Sequence, residues 1–164
     1  MKEAAPIRRY TIAWEPLDAA LEPGAVKTLV DNWSEIETDQ DKFEFDVDWE
    51  RLYALEDMGV FRMMVLRCNN EIVGYNAFHV MPHIHARQSQ VAVNDVLFVQ
   101  PAHRARAGLL FIRTAERALK AAGVVRIHYS TKVHAAVGRA GHKTGDLLLK
   151  LGYRHDENMY SKLL

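Results

Sequence analysis

Val91-Ala92-Val93-Asn94-Asp95-Val96-Leu97-Phe98-Val99 reads as a strand, and Gln100-Pro101-Ala102-His103-Arg104-Ala105-Arg106-Ala107-Gly108 carries it straight into an amphipathic helix. A strand that ends in a turn rich in small and basic residues, just before a helix, makes an anion cradle. The first helical turn has unpaired N–H groups at the positive end of the macrodipole, and Ala and Gly let a phosphate come close to the backbone. Arg104 and Arg106 add full charges suited to phosphate oxygens. The ligand this corner implies is a phosphorylated cofactor. Taken alone, the same corner also fits a plain strand-turn-helix junction with two solvated arginines.

Working outward, the rest of the chain supplies alternating elements of one α+β domain over 1–164. Residues 7–14 alternate as a first strand, and Glu22-Pro23-Gly24 leads into a helix over 25–37 with Val26, Leu29, Val30, Trp33 and Ile36 at helical spacing. An acidic, irregular stretch with aromatic anchors follows over 38–48, then a helix over 49–58 that ends before Gly59. Val60–Arg67 and Ile72–Val80 flank an Asn69-Asn70 turn and read as a β-hairpin. After the strand at 88–99, a helix over 104–122 places Leu109, Ile112, Ala115, Leu119 and Ala122 on one face. A strand over 124–130, a helix near 135–151 and a last strand over 156–163 complete the order β-α-α-β-β-β-α-β-α-β. Pro82 argues against a continuous strand through 79–85.

Composition narrows the function. The 164 residues hold 49% hydrophobic and 26% charged residues, enough for one full core. Lys+Arg and Asp+Glu are both 21, which disfavours a general polyanion binder. Cys68 is the only cysteine, so neither an intrachain disulfide nor a cysteine metal cluster forms. No apolar run approaches a membrane span and Met1–Pro6 is no signal peptide, so the expectation is a cytoplasmic protein without membrane association.

The element order, joined to Val99-x-Pro101-x-x-Arg104 before a helix and Leu151-Gly152-Tyr153 before a last strand, resembles the GNAT superfamily of N-acyltransferases. Within it the chain is most similar to small GNAT proteins of bacteriophages and prophages, through Trp33-x-Glu35, Val73-Gly74-Tyr75, His83-x-His85, Asn94-Asp95-x-Leu97, His134 and Tyr160-Ser161-Lys162-Leu163. The resemblance implies a mixed, mostly antiparallel central sheet with helices on both faces and a splayed pair of fourth and fifth strands. It implies acetyl-CoA as co-substrate, with backbone groups of Leu97, Phe98 and Val99 on the pantetheine arm and thioester. Arg104, Ala105, Arg106, Ala107, Gly108 and Leu109 would wrap the pyrophosphate, with His134 also near the cofactor. A cytoplasmic location becomes host cytoplasm if the chain is phage-encoded, and a homodimer agrees with the superfamily's habits.

Two features depart from the superfamily pattern. Counting from Arg104, its small-residue positions fall on Ala107 and Leu109, so Gly108 is out of step. Many members also have a proton-donating tyrosine four residues before the glycine of Leu-Gly-Tyr, where this chain has Leu148.

Acyl transfer to an amine needs a group that removes the ammonium proton. Asp95, in an otherwise apolar strand, is the first candidate, and Glu35 the second. Glu35 could also bind a cationic amine, beside the cation–π face of Trp33. His79, His83 and His85 cluster in sequence: His85 is a candidate base and His83 a substrate contact. No metal site is expected, because a third ligand is lacking. Tyr160 and His134 are candidates for the missing acid. The main expectation is an acetyl-CoA-dependent N-acetyltransferase acting on a primary amine of an unidentified small-molecule or amine-bearing acceptor. The alternative is a catalytically silent GNAT-fold module that binds coenzyme A or regulates. A nucleobase amine is a less favoured acceptor, since zero net charge opposes tight duplex binding.

Overall fold

Strand pairing fixes the architecture. The computed structural model describes residues 8–22, 24–132 and 139–164, with the side chains of Ala105 and 139–142 outside that description. One sheet holds β1 (Tyr10–Glu15), β2 (Phe61–Cys68), β3 (Glu71–His83), β4 (Ala86–Val99) and β5 (Val124–His128) in that spatial order. The helices are α1 (Ala25–Ile36), α2 (Trp49–Asp57), α3 (Arg104–Ala121) and α4 (Arg139–Lys150). The chain packs as two units, Met1–Ser130 with the sheet and α1 to α3, and Thr131–Leu164 with α4.

Neighbouring strands from β1 to β4 pair antiparallel, and β4 pairs β5 parallel across the α3 crossover. The β2–β3 turn is the expected Asn-Asn pair, with φ of 51° at Asn69 and 73° at Asn70, a conformation asparagine tolerates. No strand runs through 79–85, since β3 ends at His83 and a turn follows, but Pro82 itself lies inside β3, opposite Gln90. The reason is local: on the β2 side the last hydrogen bond of β3 runs from the Val80 N–H to the Val60 carbonyl, so at Pro82 that edge is free and a missing N–H costs little.

Each face of the sheet carries a core. On one, Ala107, Phe111, Ala115 and Leu119 of α3 pack on Leu66, Val73, Phe78, Ala92 and Val99. On the other, Leu29 of α1 and Trp49 and Leu52 of α2 pack against Phe61, Met63, Val65, Tyr75 and Ala77. Of the face expected for α3, Ile112, Ala115 and Leu119 are buried, while Leu109 and Ala122 are exposed and Ala107 and Phe111 take the core in their place. In α1, the buried positions are Ala25, Thr28 and Asn32, while Val26 and Val30 are exposed. Thr28 accepts a hydrogen bond from the Gln100 side chain at 2.9 Å, so a polar contact rather than the apolar row orients α1.

In the second unit, α4 ends in a cap. Gly152 takes φ of 93°, the Tyr153 N–H donates to the Leu148 carbonyl at 3.0 Å and the Gly152 N–H to Leu149 at 3.0 Å. That is a Schellman motif, and Leu151-Gly152-Tyr153 is the sequence it needs. The strand expected over 156–163 is not formed: residues 153–164 have no regular structure. His155-Asp156-Glu157-Asn158 is polar throughout and of low strand propensity. Among the described residues no helix is long and apolar enough to cross a membrane.

Candidate active site

The site begins where β4 leaves β5. Their ladder runs only from Gln90 opposite Val124 to Val93 opposite His128, while β4 continues to Val99. Over 94–99 the β5-facing edge of β4 therefore has no strand partner among the described residues. Apart from the carbonyls of Val96 and Val99, which accept from the Asn94 and Arg104 side chains, the backbone groups on that edge lack a ladder partner and suit a peptide-like arm. Leu97, Phe98 and Val99, the residues expected to meet pantetheine, lie on this edge.

A bulge marks the departure point. Phe78 faces Asn94 and Ala77 faces Val96, which leaves Asp95 as the extra residue. The Asn94 amide holds the bulge: it donates to the carbonyls of Ala77 at 2.8 Å and Val96 at 3.0 Å and to the Asn76 side chain at 3.0 Å. Asn76 in turn donates to the Tyr129 hydroxyl at 3.0 Å, just past the end of β5. Burial pushes the Tyr129 phenol above its ordinary range, against the opposing effect of the Asn76 hydrogen bond. The sequence signals of this buried chain are two polar residues, Asn76 and Asn94, in otherwise apolar strands; their link to Tyr129 is not legible from order alone.

The anion corner is built as a helix start. Pro101–His103 form one tight turn and α3 begins at Arg104, so Arg104 to Leu109 are its first turns rather than a loop. The Arg104 side chain is committed to the protein. Its Nε donates to the Val99 carbonyl at 2.7 Å, its guanidinium pairs with Glu35, and it lies 5.5 Å from the Phe98 ring centroid. Two sequence candidates thus meet, each engaging the other. Close by, burial and the Arg8 charge hold the His103 imidazole below its ordinary pKa, with its Nδ1 3.0 Å from the Tyr10 hydroxyl.

Two glycines have different reasons. A Cβ on Gly74 would sit 2.6 Å from the Phe98 carbonyl, so close approach of β4 requires glycine there. A Cβ on Gly108 would meet nothing within 4 Å, so packing does not ask for glycine at that position. A bare helix start beside an unpaired strand edge fits the phosphates and amide arm of a coenzyme A thioester.

The remaining candidates scatter. Asp95 lies 3.6 Å from Nε2 of His79, across β3 and β4. His83 and His85 stand at the β3–β4 tip, where His83 Nδ1 accepts from the His85 N–H at 3.2 Å. The tip is four residues, about 13 Å of strand, from His79. Trp33 packs against Phe45 of the acidic segment, ring centroids 6.0 Å apart. Tyr160 is 89% exposed in the irregular end of the chain, and His134 lies outside the described residues. Among the described residues no cluster could hold a metal ion.

No family model and no curated protein matches the chain. Solved structures do. An aminoglycoside acetyltransferase from an uncultured soil metagenomic sample aligns with TM-score 0.71 and 17% identity over 95% of this chain and 99% of its own. A transcriptional regulator from Bacillus halodurans aligns with TM-score 0.68 and 14% identity over 95% and 100%. A ribosomal-protein-alanine N-acetyltransferase from Brucella melitensis aligns with TM-score 0.68 and 17% identity over 94% and 99%. The resemblance first read in Val99-x-Pro101-x-x-Arg104 therefore holds at the level of architecture, and the chain has the GNAT fold.

Proposed function

We propose that residues 1–164 act as one acetyltransferase domain that moves an acetyl group from acetyl-CoA to a primary amine. The observation that carries this reading is the edge of β4 over 94–99, which has no strand partner among the described residues and leads through the Pro101–His103 turn to the start of α3. The edge offers N–H and C=O groups to the pantetheine amides, and a backbone N–H near Leu97 would stabilise charge growing on the thioester oxygen. The Arg104 N–H is used by the Pro101 carbonyl, so the backbone N–H groups of Ala105 and Arg106, with the Arg106 side chain, would hold the pyrophosphate, and Ala107 and Gly108 would let it come close. Holding amine and thioester together is worth roughly 7–11 kcal/mol of barrier. The proton on the amine would go to a group near the bulge, where Asp95 and His79 face each other.

Charge supports a cationic acceptor. Of the chain's 21 acidic residues, eleven lie within 31–57, against Lys42 and Arg51. This segment spans the end of α1, the irregular stretch and α2, with Trp33, Phe43 and Phe45 interleaved. An acidic, aromatic surface of that kind suits an amine-rich small molecule, and the soil acetyltransferase of the same fold acts on aminoglycosides by name.

A free-thiol assay with acetyl-CoA and a broad amine library tests the reading, beside calorimetry of acetyl-CoA binding. Thiol release with a polyamine or aminoglycoside is expected. Binding without release would instead favour the silent module, a reading that Leu148 at the usual tyrosine position motivates. Absence of binding at millimolar cofactor would overturn both.

A further inference from the structure

We propose that His79 takes the proton from the attacking amine and that Asp95 positions it. The inference rests on the acetyl-transfer reading above and assigns that reaction a residue on β3. His79 and Asp95 lie on the α1/α2 face of the sheet, on the strands that meet at the bulge. His79 stands directly opposite Phe61 on β2 and Val93 on β4. The Phe61 ring meets the imidazole edge-on with centroids 5.6 Å apart and limits its rotation. The extra residue in β4 aims Asp95 back across the ladder, and the Asn94 amide fixes that bulge.

Access fits the role. The side chains of His79 and Asp95 are 27% and 50% exposed, and Val93 between them is 39% exposed, so this patch of the face is open to an incoming amine. Among the described residues Asp95 is the one charged group within salt-bridge distance of His79. Nε2 faces the carboxylate, which leaves Nδ1 for the substrate's proton. Asp95 then stabilises the imidazolium, as an orienting carboxylate does for a histidine base.

In the step, an ammonium gives one proton to Nδ1 of His79 and its nitrogen forms the bond to the acetyl carbon. The C–S bond breaks, its electron pair leaves on sulfur, and the second N–H proton ends on that sulfur. His79 returns its proton to solvent.

The test compares wild type, His79→Gln, His79→Ala and Asp95→Asn, using acetyl-CoA with whichever library amine the wild type acetylates. His79→Gln should cut kcat/KM for the amine by about 100-fold or more and remove the acidic limb of the pH profile, with acetyl-CoA affinity within about twofold. Added imidazole should restore part of the His79→Ala rate. Asp95→Asn should lower kcat and leave KM for the amine nearly unchanged, because the imidazole loses the carboxylate that orients it. A His79→Gln enzyme with wild-type kcat/KM and an unchanged limb would overturn the assignment while leaving the acetyltransferase reading intact. If His79→Gln does not fold, an Asp95→Asn enzyme with wild-type kcat overturns it instead. A wild type that binds acetyl-CoA but acetylates no amine would overturn both.

Discussion

Glu35 at the end of α1 and Arg104 at the start of α3 form an ion pair that ties the proposed acceptor side of the fold to the proposed cofactor side. The same guanidinium holds the Val99 carbonyl at 2.7 Å, where β4 ends. Arg104 therefore shapes the corner rather than reaching out to a ligand, and the Gln100–Thr28 hydrogen bond braces α1 from the same corner.

Removing either partner should loosen this junction. Arg104→Ala is expected to cost about 1–2 kcal/mol, because it leaves a carbonyl and a half-buried carboxylate unpaired. Glu35→Gln should cost less. The pair is partly solvated, so the coupling in a double-mutant cycle should be about 1 kcal/mol. Urea unfolding of the four proteins measures it, and strictly additive variants would mean that the pair does not form in solution.

Gly108 separates stability from binding. Alanine is a better helix former by about 1 kcal/mol, and at Gly108 its methyl group meets open space. Gly108→Ala should raise the melting temperature of the free protein. If the first turn of α3 cradles phosphate, the added methyl should also weaken acetyl-CoA binding by about tenfold. Calorimetry beside thermal unfolding reads both, and unchanged affinity would take the phosphates away from this turn.

What the chain disclosed in advance was local. The Asn69-Asn70 turn, the β4–α3 corner and the Leu151-Gly152-Tyr153 stop each depend on a few adjacent residues, so their chemistry is visible in order. The misreadings came from partners far apart in sequence. Val26 and Val30 looked buried because helical spacing marks an apolar row, yet Thr28 meets Gln100 from 72 residues away and turns α1. Asp95 was legible as an isolated carboxylate. Its approach to His79 depends on a one-residue slip in the β3–β4 ladder, which no periodicity within β4 announces. His83 and His85 attracted notice through spacing alone, and the ladder carries them to the hairpin tip.

Acid stability should depend on Arg67. Its guanidinium bridges Glu15 and Glu22, with contacts of 2.6 Å to each, and so joins β1 to the turn before α1. The Arg67 hydrogen bond holds the Glu22 carboxyl below its ordinary value of 4.5. A carboxyl with a lowered folded pKa stabilises the fold above its unfolded pKa, and that stability is lost as pH falls through the folded value. Urea midpoints should therefore drop as the pH falls below 4.5. Arg67→Met should lower the midpoint at neutral pH and flatten this acid-side slope. An equal slope in both proteins would show that the bridge contributes nothing there.

Asn94 should control the path of β4. A bulge breaks the ladder and leaves carbonyls in search of donors, and the Asn94 amide supplies them to Ala77 and Val96. Asn94→Ala removes the donors from a buried position and should cost about 1–3 kcal/mol. Asn94→Asp should cost more, because it sets a buried carboxylate against the same carbonyls and against Asn76 Oδ1. Both should weaken acetyl-CoA binding if the bulge aims the 94–99 edge at the pantetheine arm, an effect that stability loss at a distant core site would not produce. Leu119→Ala, on the α3 core face, is the control. It should lower the urea midpoint by a similar amount while its acetyl-CoA affinity, measured well below the unfolding transition, stays within about twofold of wild type. Equal losses of affinity in all three variants would reduce Asn94 to an ordinary core residue.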